Sequence, residues 1–249
     1  FLHRGDLAQA RHWSEEAVRL DRERGNRLAL SDSLGNLGNV CAMQNDFDAA
    51  ARCYREVLDI QREQQDPGAI GQTLVNLGNV HAEAGEPDHA RPYYLEALDL
   101  LTPIEDHRAI GILHANLAIQ DAEAGRREAA IEGFRQALDH HRAVGDEEGL
   151  AFTFSRLGKT FLELGHLRQA ERNLNNASEH FIKLGNEPAE AAVLRLLAEV
   201  YEQRQDWLSA VRCLERVVMI GRRYRLSQMT EDQERLGRLW ARRADSSAS

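Results

Sequence analysis

Leucine stands at positions 37, 77, 117, 157 and 197, and alanine at 10, 50, 90, 130, 170 and 210, so two registers repeat at a stride of 40 residues. Around the leucines the frame is longer. Leu34 to Val40 reads Leu-Gly-Asn-Leu-Gly-Asn-Val, and Leu74 to Val80 reads Leu-Val-Asn-Leu-Gly-Asn-Val. Asn116-Leu117-Ala118, Arg156-Leu157-Gly158 and Leu196-Leu197-Ala198 hold the same places further on. A fixed period of this length marks an array in which each unit buries its apolar face against its neighbours. Length then ceases to be a guide to domain number, because 249 residues mean more copies rather than a larger globule.

Each unit reads as two helices. Ile70, Leu74, Leu77 and Val80 recur at spacings of three and four, an amphipathic helix by periodicity. Gly85-Glu86-Pro87 breaks it, and Pro87 suits the first position of a second helix carrying Ala90, Tyr94, Ala97, Leu98 and Leu101 on its apolar face. Turns are expected at Asn45-Asp46, Gly125-Arg126, Gly165-His166 and Gln205-Asp206 within units. Between units they fall at Gly25-Asn26, Asp66-Pro67, Glu105-Asp106, Gly145-Asp146 and Gly185-Asn186. The array spans 1–229, with a partial repeat over 1–28 and full repeats near 29–68, 69–108, 109–148, 149–188 and 189–229. A capping helix over 230–243, with Leu236, Leu239 and Trp240 on one face, and a tail over 244–249 complete the reading. Pro92 and Pro103 predict a bend or an early stop in the second helix of their unit. Phe1 projects onto the last turn of a helix whose beginning is missing, so the chain is expected to be cut from a longer one.

Gly38, Gly78 and Gly158 sit mid-helix, where glycine costs about 1 kcal/mol against alanine. Ala118 and Ala198 hold the same column in the other units. Such a column points to a close helix crossing, with the alanines at 50, 90, 130, 170 and 210 expected to face it.

The residues Phe154, Leu157-Gly158, Phe161, Gly165, Ala170, Leu174 and Ala177, and Leu74, Leu77-Gly78, His81, Gly85, Ala90, Tyr94 and Ala97, resemble the tetratricopeptide repeat, in a degenerate form. The stride exceeds that family's usual period of about 34 residues. It is similar to the long-repeat arrays of spindle-orientation adaptors, kinesin light chains and bacterial regulator sensors. The resemblance implies an all-α fold, a right-handed α-solenoid of antiparallel helix pairs whose first helices line a concave surface. Carried onto this chain, the groove positions are Asn36, Asn39, Asn76, Asn79, Asn116, Arg156, Lys159 and Arg195. Asparagine amides offer a donor and an acceptor to a peptide backbone, and the basic trio favours acidic side chains or a free carboxylate. A purely structural role for Asn36, Asn76 and Asn116 stands beside that reading. Glu83, Glu123 and Glu163, also 40 apart, rim the groove or form a solvated face.

Composition narrows the classes. Apolar residues at 43% and charged ones at 29% suit a folded chain rather than a disordered one. A net charge of −9 argues against a nucleic-acid surface. No apolar run reaches the roughly 18 residues of a membrane span. Cys41, Cys53 and Cys213 are too few and scattered for a disulfide or zinc framework and fit reduced thiols in a cytoplasmic protein. His140-His141 lacks a helical zinc pattern, no phosphate loop or catalytic triad signature is present, and the histidines read as surface residues. No metal, cofactor or enzymatic activity is expected. Trp13, Trp207 and Trp240 read as packing residues. Between Val211 and Ser249 nine arginines face five acids, read as a solvated last helix pair. The expected function is capture of an extended peptide segment from a protein partner. The alternatives are a regulatory or sensor array within a larger signalling or transcription-regulator protein, or self-association through the repeat face at Phe1.

Overall fold

A computed structural model of the protein describes the backbone of residues 4–248 and the side chains of 6–244. These residues form twelve α-helices and no strand. They are α1 (Arg4–Arg24), α2 (Arg27–Met43), α3 (Phe47–Gln64), α4 (Pro67–Glu83), α5 (Pro87–Leu101), α6 (His107–Glu123), α7 (Arg127–Ala143), α8 (Glu147–Glu163), α9 (Leu167–Lys183), α10 (Glu187–Gln203), α11 (Trp207–Tyr224) and α12 (Met229–Ala248). Position Phe1, and the repeat face expected there, lie outside the described residues. None of these helices is long and apolar enough to cross a membrane.

The helices are cut by a metronomic stop. Positions 25, 45, 65, 85, 105, 125, 145, 165, 185, 205 and 225 all have positive φ, one every twenty residues. Six of the eleven are glycine, which enters the left-handed region without a Cβ penalty, while Asn45, Gln65, Glu105, Gln205 and Arg225 are held there by their context. An N-cap follows immediately. Asn26, Asp66, Asp106, Asp146 and Asn186 each accept, through a side-chain oxygen, the backbone N–H three residues on, at 3.0–3.2 Å. Asp46 and Asp206 do the same for the second helices they precede. At these seven reversals a left-handed residue thus ends one helix and an Asx side chain opens the next, whereas Glu86, Arg126 and His166 make no side-chain cap bond.

The chain divides into two compact units, one up to Leu117 and one from Ala118, with α6 running through the division. In the first, α2 packs on α1 and α3, and α4 on α3 and α5. Leu34, Leu74, Leu77, Tyr94, Leu101 and Leu113 centre its core. In the second, α8 packs on α7 and α9, α10 on α9 and α11, and α12 on α11, around Phe134, Phe154, Phe181 and Leu197, then Leu214, Ile220 and Leu239. Within each unit a helix touches chiefly its sequence neighbours, as an α-solenoid requires.

The small column lies where the paired helices approach, but its partner differs from the expected alanine. A Cβ at Gly38 would stand 2.8 Å from Tyr54 Cε1, and one at Gly158 would stand 2.7 Å from Leu174 Cγ. At Gly78 it would strike the Tyr94 ring. The facing residue is therefore one turn beyond Ala50, Ala90 and Ala170. Those alanines are fully buried without being the answering surface. Pro92 lies inside α5, which ends at Leu101 after 15 residues where α7 and α9 run for 17. Pro103 has no N–H to continue the ladder, and the Thr102 hydroxyl donates back to Leu98 O at 2.7 Å. The early stop is realised.

Two assignments need correction. The helix expected over 230–243 runs Met229–Ala248, so positions 244–248 are helical rather than tail. Within it Leu239 is buried and Leu236 partly so, whereas Trp240 is 45% exposed, as Trp13 is at 67%. One residue is a 100° rotation on a helix, enough to carry Trp240 off the face that holds Leu239. Only Trp207 packs against the core, beneath the Arg242 guanidinium at 5.3 Å.

Two outcomes follow. Gly78→Ala should destabilise the protein by about 1–2 kcal/mol, because overpacking at Tyr94 exceeds the gain in helix propensity. Gly35→Ala, with open space around its Cβ, should stabilise it by about 0.5–1 kcal/mol in urea denaturation. Acid should also act through the caps. Arg11 and the Ala49 amide hold the Asp46 carboxyl below its ordinary range, and Ser209 does so for Asp206. A depressed carboxylate contributes fully above its unfolded pKa of about 3.9 and less as pH falls through its folded value. The thermal midpoint should therefore drop below about pH 4, and less steeply in Asp46→Asn with Asp206→Asn.

Candidate functional site

The first helices of the repeats, α2, α4, α6, α8 and α10, carry two columns three residues apart, which places them on one helix face. The columns read Asn36, Asn76, Asn116, Arg156, Leu196 and Asn39, Asn79, Ile119, Lys159, Glu199. In the first unit an open groove of about 820 Å³ is bordered by Asp32, Asn36 and Asn39 of α2, Thr73 and Asn76 of α4, and Tyr54 of α3.

The asparagines divide into two sets. Tyr54 Oη donates to Asn39 Oδ1 at 2.5 Å and Tyr94 Oη to Asn79 Oδ1 at 2.8 Å. Burial pushes the Tyr54 phenol up to about 12 and the Tyr94 phenol up as well, so both remain protonated donors. Asn79 Oδ1 also accepts from Asn116 Nδ2 at 2.9 Å, which ties α4 to α6. Asn39, Asn79 and Asn116 are thus committed to holding helices together. Asn36 and Asn76 have no side-chain hydrogen-bond partner among the described residues. The tyrosines were not legible as amide partners from their own positions. The signal is in pairing: tyrosine at 54 and 94 accompanies asparagine at 39 and 79, while Phe134, Leu174 and Leu214 accompany Ile119, Lys159 and Glu199.

In the second unit Arg156 and Lys159 are exposed on α8 and border a groove of about 400 Å³ with Glu123 and Glu163. Lys159 also borders a second groove, about 660 Å³, with Glu163, Leu196 and Glu199. Its Nζ lies 3.7 Å from Glu163 Oε1. This surface is mixed in charge, with Glu123 and Glu163 lining it beside the cations.

Arg195 departs from its expected place. It lies one position before the Leu196 column, and that 100° turn directs it to α12. There Nε donates to Asp232 Oδ1 at 2.9 Å and Nη2 to Oδ2 at 2.7 Å, a bidentate pair whose carboxylate is 4% exposed. Arg195 fastens the last helix and is withdrawn from the groove. Three of the nine arginines of the C-terminal stretch are likewise engaged. Arg216 pairs with Glu190 and Glu187, Arg223 with Glu187, and Arg235 with Glu202, all on α10.

His141 is not a surface residue. It is 1% exposed, with Nδ1 3.0 Å from Asp146 Oδ2, while Asp146 Oδ1 caps α8. Gly149 leaves the space its ring occupies. The cysteines are free, and burial pushes the Cys53 and Cys213 thiols up to about 11, so they remain neutral.

A family model described as tetratricopeptide repeat matches residues 1–63, 69–143, 110–183 and 150–222. Among curated proteins none matches the chain. Of solved structures, BtubC (BKLC) from P. vanneervenii is similar with a TM-score of 0.78 at 20% identity, covering 88% of this chain and 92% of its own. The tetratricopeptide repeat sensor protein of the signal transduction ATPases with numerous domains from Pyrococcus horikoshii has a TM-score of 0.70 at 16% identity, over 92% of this chain and 37% of that one. A putative kinesin light chain repeat protein from Podosopora anserina has a TM-score of 0.62 at 17% identity, over 78% and 95%. These likenesses are of fold.

Asp232→Ala should test the assignment of Arg195. Leaving that guanidinium without its buried carboxylate is expected to cost about 2–3 kcal/mol, less than a fully buried pair because Arg195 keeps some solvent contact. Chemical denaturation read by circular dichroism measures it, and a loss below about 0.5 kcal/mol would return Arg195 to the pool of binding residues.

Proposed function

We infer, from the premise that this chain belongs to the tetratricopeptide-repeat family, that it is a protein-interaction scaffold which holds an extended segment of a partner along the first helices of its repeats. The family is a scaffold fold rather than a catalytic one. The observation that carries the reading is the division of the asparagines. Asn39, Asn79 and Asn116 are committed to the framework, and Asn36 and Asn76 are left 40 residues apart on one groove with unpaired amides. An amide offers both N–H and C=O, which matches a peptide backbone irrespective of its side chains. Thr73 supports this edge by donating to Gln61 Oε1 at 2.7 Å.

In the second unit the partner's chemistry becomes selective. Arg156 and Lys159 receive a carboxylate, from an acidic side chain or a free C-terminus, that displaces Glu163 from Lys159. Three neutral thiols are consistent with a cytoplasmic setting. A second reading, a sensor array serving a larger signalling protein, has in its support the fold likeness to the Pyrococcus horikoshii sensor.

Selection from a displayed library of extended peptides, followed by titration of the winning peptide, tests the scaffold reading. Asn36→Ala with Asn76→Ala should weaken binding about tenfold or more, at roughly 1 kcal/mol for each lost amide contact. Arg156→Glu with Lys159→Glu should abolish any preference for acidic peptides. Arg195 is left unchanged, so that loss of α12 packing does not mimic loss of binding. Equal affinity of the selected peptide for all three proteins would remove the groove from the account.

A further inference from the structure

The turn between α4 and α5 gathers three metal-ligating side chains on one point. His81 Nδ1 lies 2.8 Å from Glu86 Oε2, and His89 Nδ1 lies 3.3 Å from the same oxygen. The three ligand atoms fall within 4.8 Å of one another. Two imidazole nitrogens therefore converge on a single carboxylate oxygen.

One neighbouring repeat carries a related contact at the same place. In the next unit the positions of His81 and Glu86 hold Asp121 and Arg126, whose guanidinium donates to Asp121 Oδ1 at 2.8 Å and 3.0 Å, a two-residue clip across the turn. His81 and Glu86 copy that clip. His89 is the addition, since the other units carry Ala49, Ala129, Gln169 and Ser209 at its position. Glu86 is also diverted. It occupies the N-cap position that Asp46 and Asp206 use to bind a helix amide, yet it makes no cap bond and turns its carboxylate to the histidines. His81 is set by stacking on Tyr93, 5.5 Å between centroids and 12° from parallel.

We propose that His81, Glu86 and His89 form a binding site for a divalent transition-metal cation of the zinc class, held by the two Nδ1 atoms and Glu86 Oε2 with water completing the coordination. Two imidazoles and a carboxylate are the donor set such ions take, in preference to calcium or magnesium. With metal–ligand bonds of about 2.0–2.1 Å in a tetrahedral site, ligand atoms stand roughly 3.3 Å apart, so Glu86 and the imidazoles need shift only modestly. Coordination at Nδ1 leaves His81 Nε2 carrying the proton. Arg55 Nη2, now 3.5 Å from that nitrogen and on an exposed side chain, then turns away. The bound ion cross-links the end of α4 to the first turn of α5 across Gly85. The sequence conceals the site because its ligands are spaced five and three residues apart across a turn, not as the four-residue pair of a helical zinc motif.

Titration of the metal-free full chain with Co²⁺, following its visible ligand-field absorption, and with Zn²⁺ by calorimetry, tests the proposal. One equivalent should bind near neutral pH. His89→Ala should lower the affinity by about tenfold or more, and this side chain is 73% exposed, so the fold is not at risk. Glu86→Gln should weaken it comparably. Failure of the wild-type chain to develop a saturable Co²⁺ spectrum would overturn the site, as would identical binding by wild type and His89→Ala.

Discussion

The van der Waals contact between a bare backbone and a tyrosine ring in each of the first two full helix pairs is what the polar architecture rests on. Gly38 and Gly78 let the Tyr54 and Tyr94 rings come close against the preceding helix. Only from that depth does each phenol reach the amide one position beyond the glycine. The hydroxyl then satisfies Asn39 or Asn79, and Asn79 in turn takes the amide of Asn116 on the following first helix. Restoring a methyl at the glycine would displace the ring, then its hydrogen bond, then the link between repeats. Steric room comes first and the polar chain is built upon it.

The second unit keeps the room and changes its use. Gly158 faces Leu174, a residue with no hydroxyl, and the amide column is replaced by Ile119, Lys159 and Glu199. Released from any buried donor, this column is free to carry charge, and it does so on a surface shared with Glu123 and Glu163. One backbone frame thus presents neutral amides in one unit and opposed charges in the other.

What could be read in advance was whatever repeats. Helix boundaries follow from glycine and Asx residues recurring at a constant stride, because backbone handedness and capping are local properties of those side chains. What could not be read depended on azimuth or on distant partners. Arg195 and Trp240 each sit one residue from the column they were assigned to, and 100° decides between groove and packed helix or between core and solvent. His141 is buried because Gly149 on the next helix makes space and Asp146 offers a carboxylate, neither of which marks the histidine itself. The tyrosine partners of the small column lie one turn past the alanines, since helical side chains lean toward the N-terminus and meet a crossing helix off-centre.

The left-handed stop every twenty residues makes the length of this molecule granular. Loss of a single residue inside a helix would spin the rest of that helix by 100° and bring its buried positions to the surface. Loss or duplication of forty would return each column to its starting azimuth, with an Asx cap ready to receive the join. Drift between relatives should accordingly come in whole helix pairs, and small insertions should gather at the reversals, where the backbone has already left the helix.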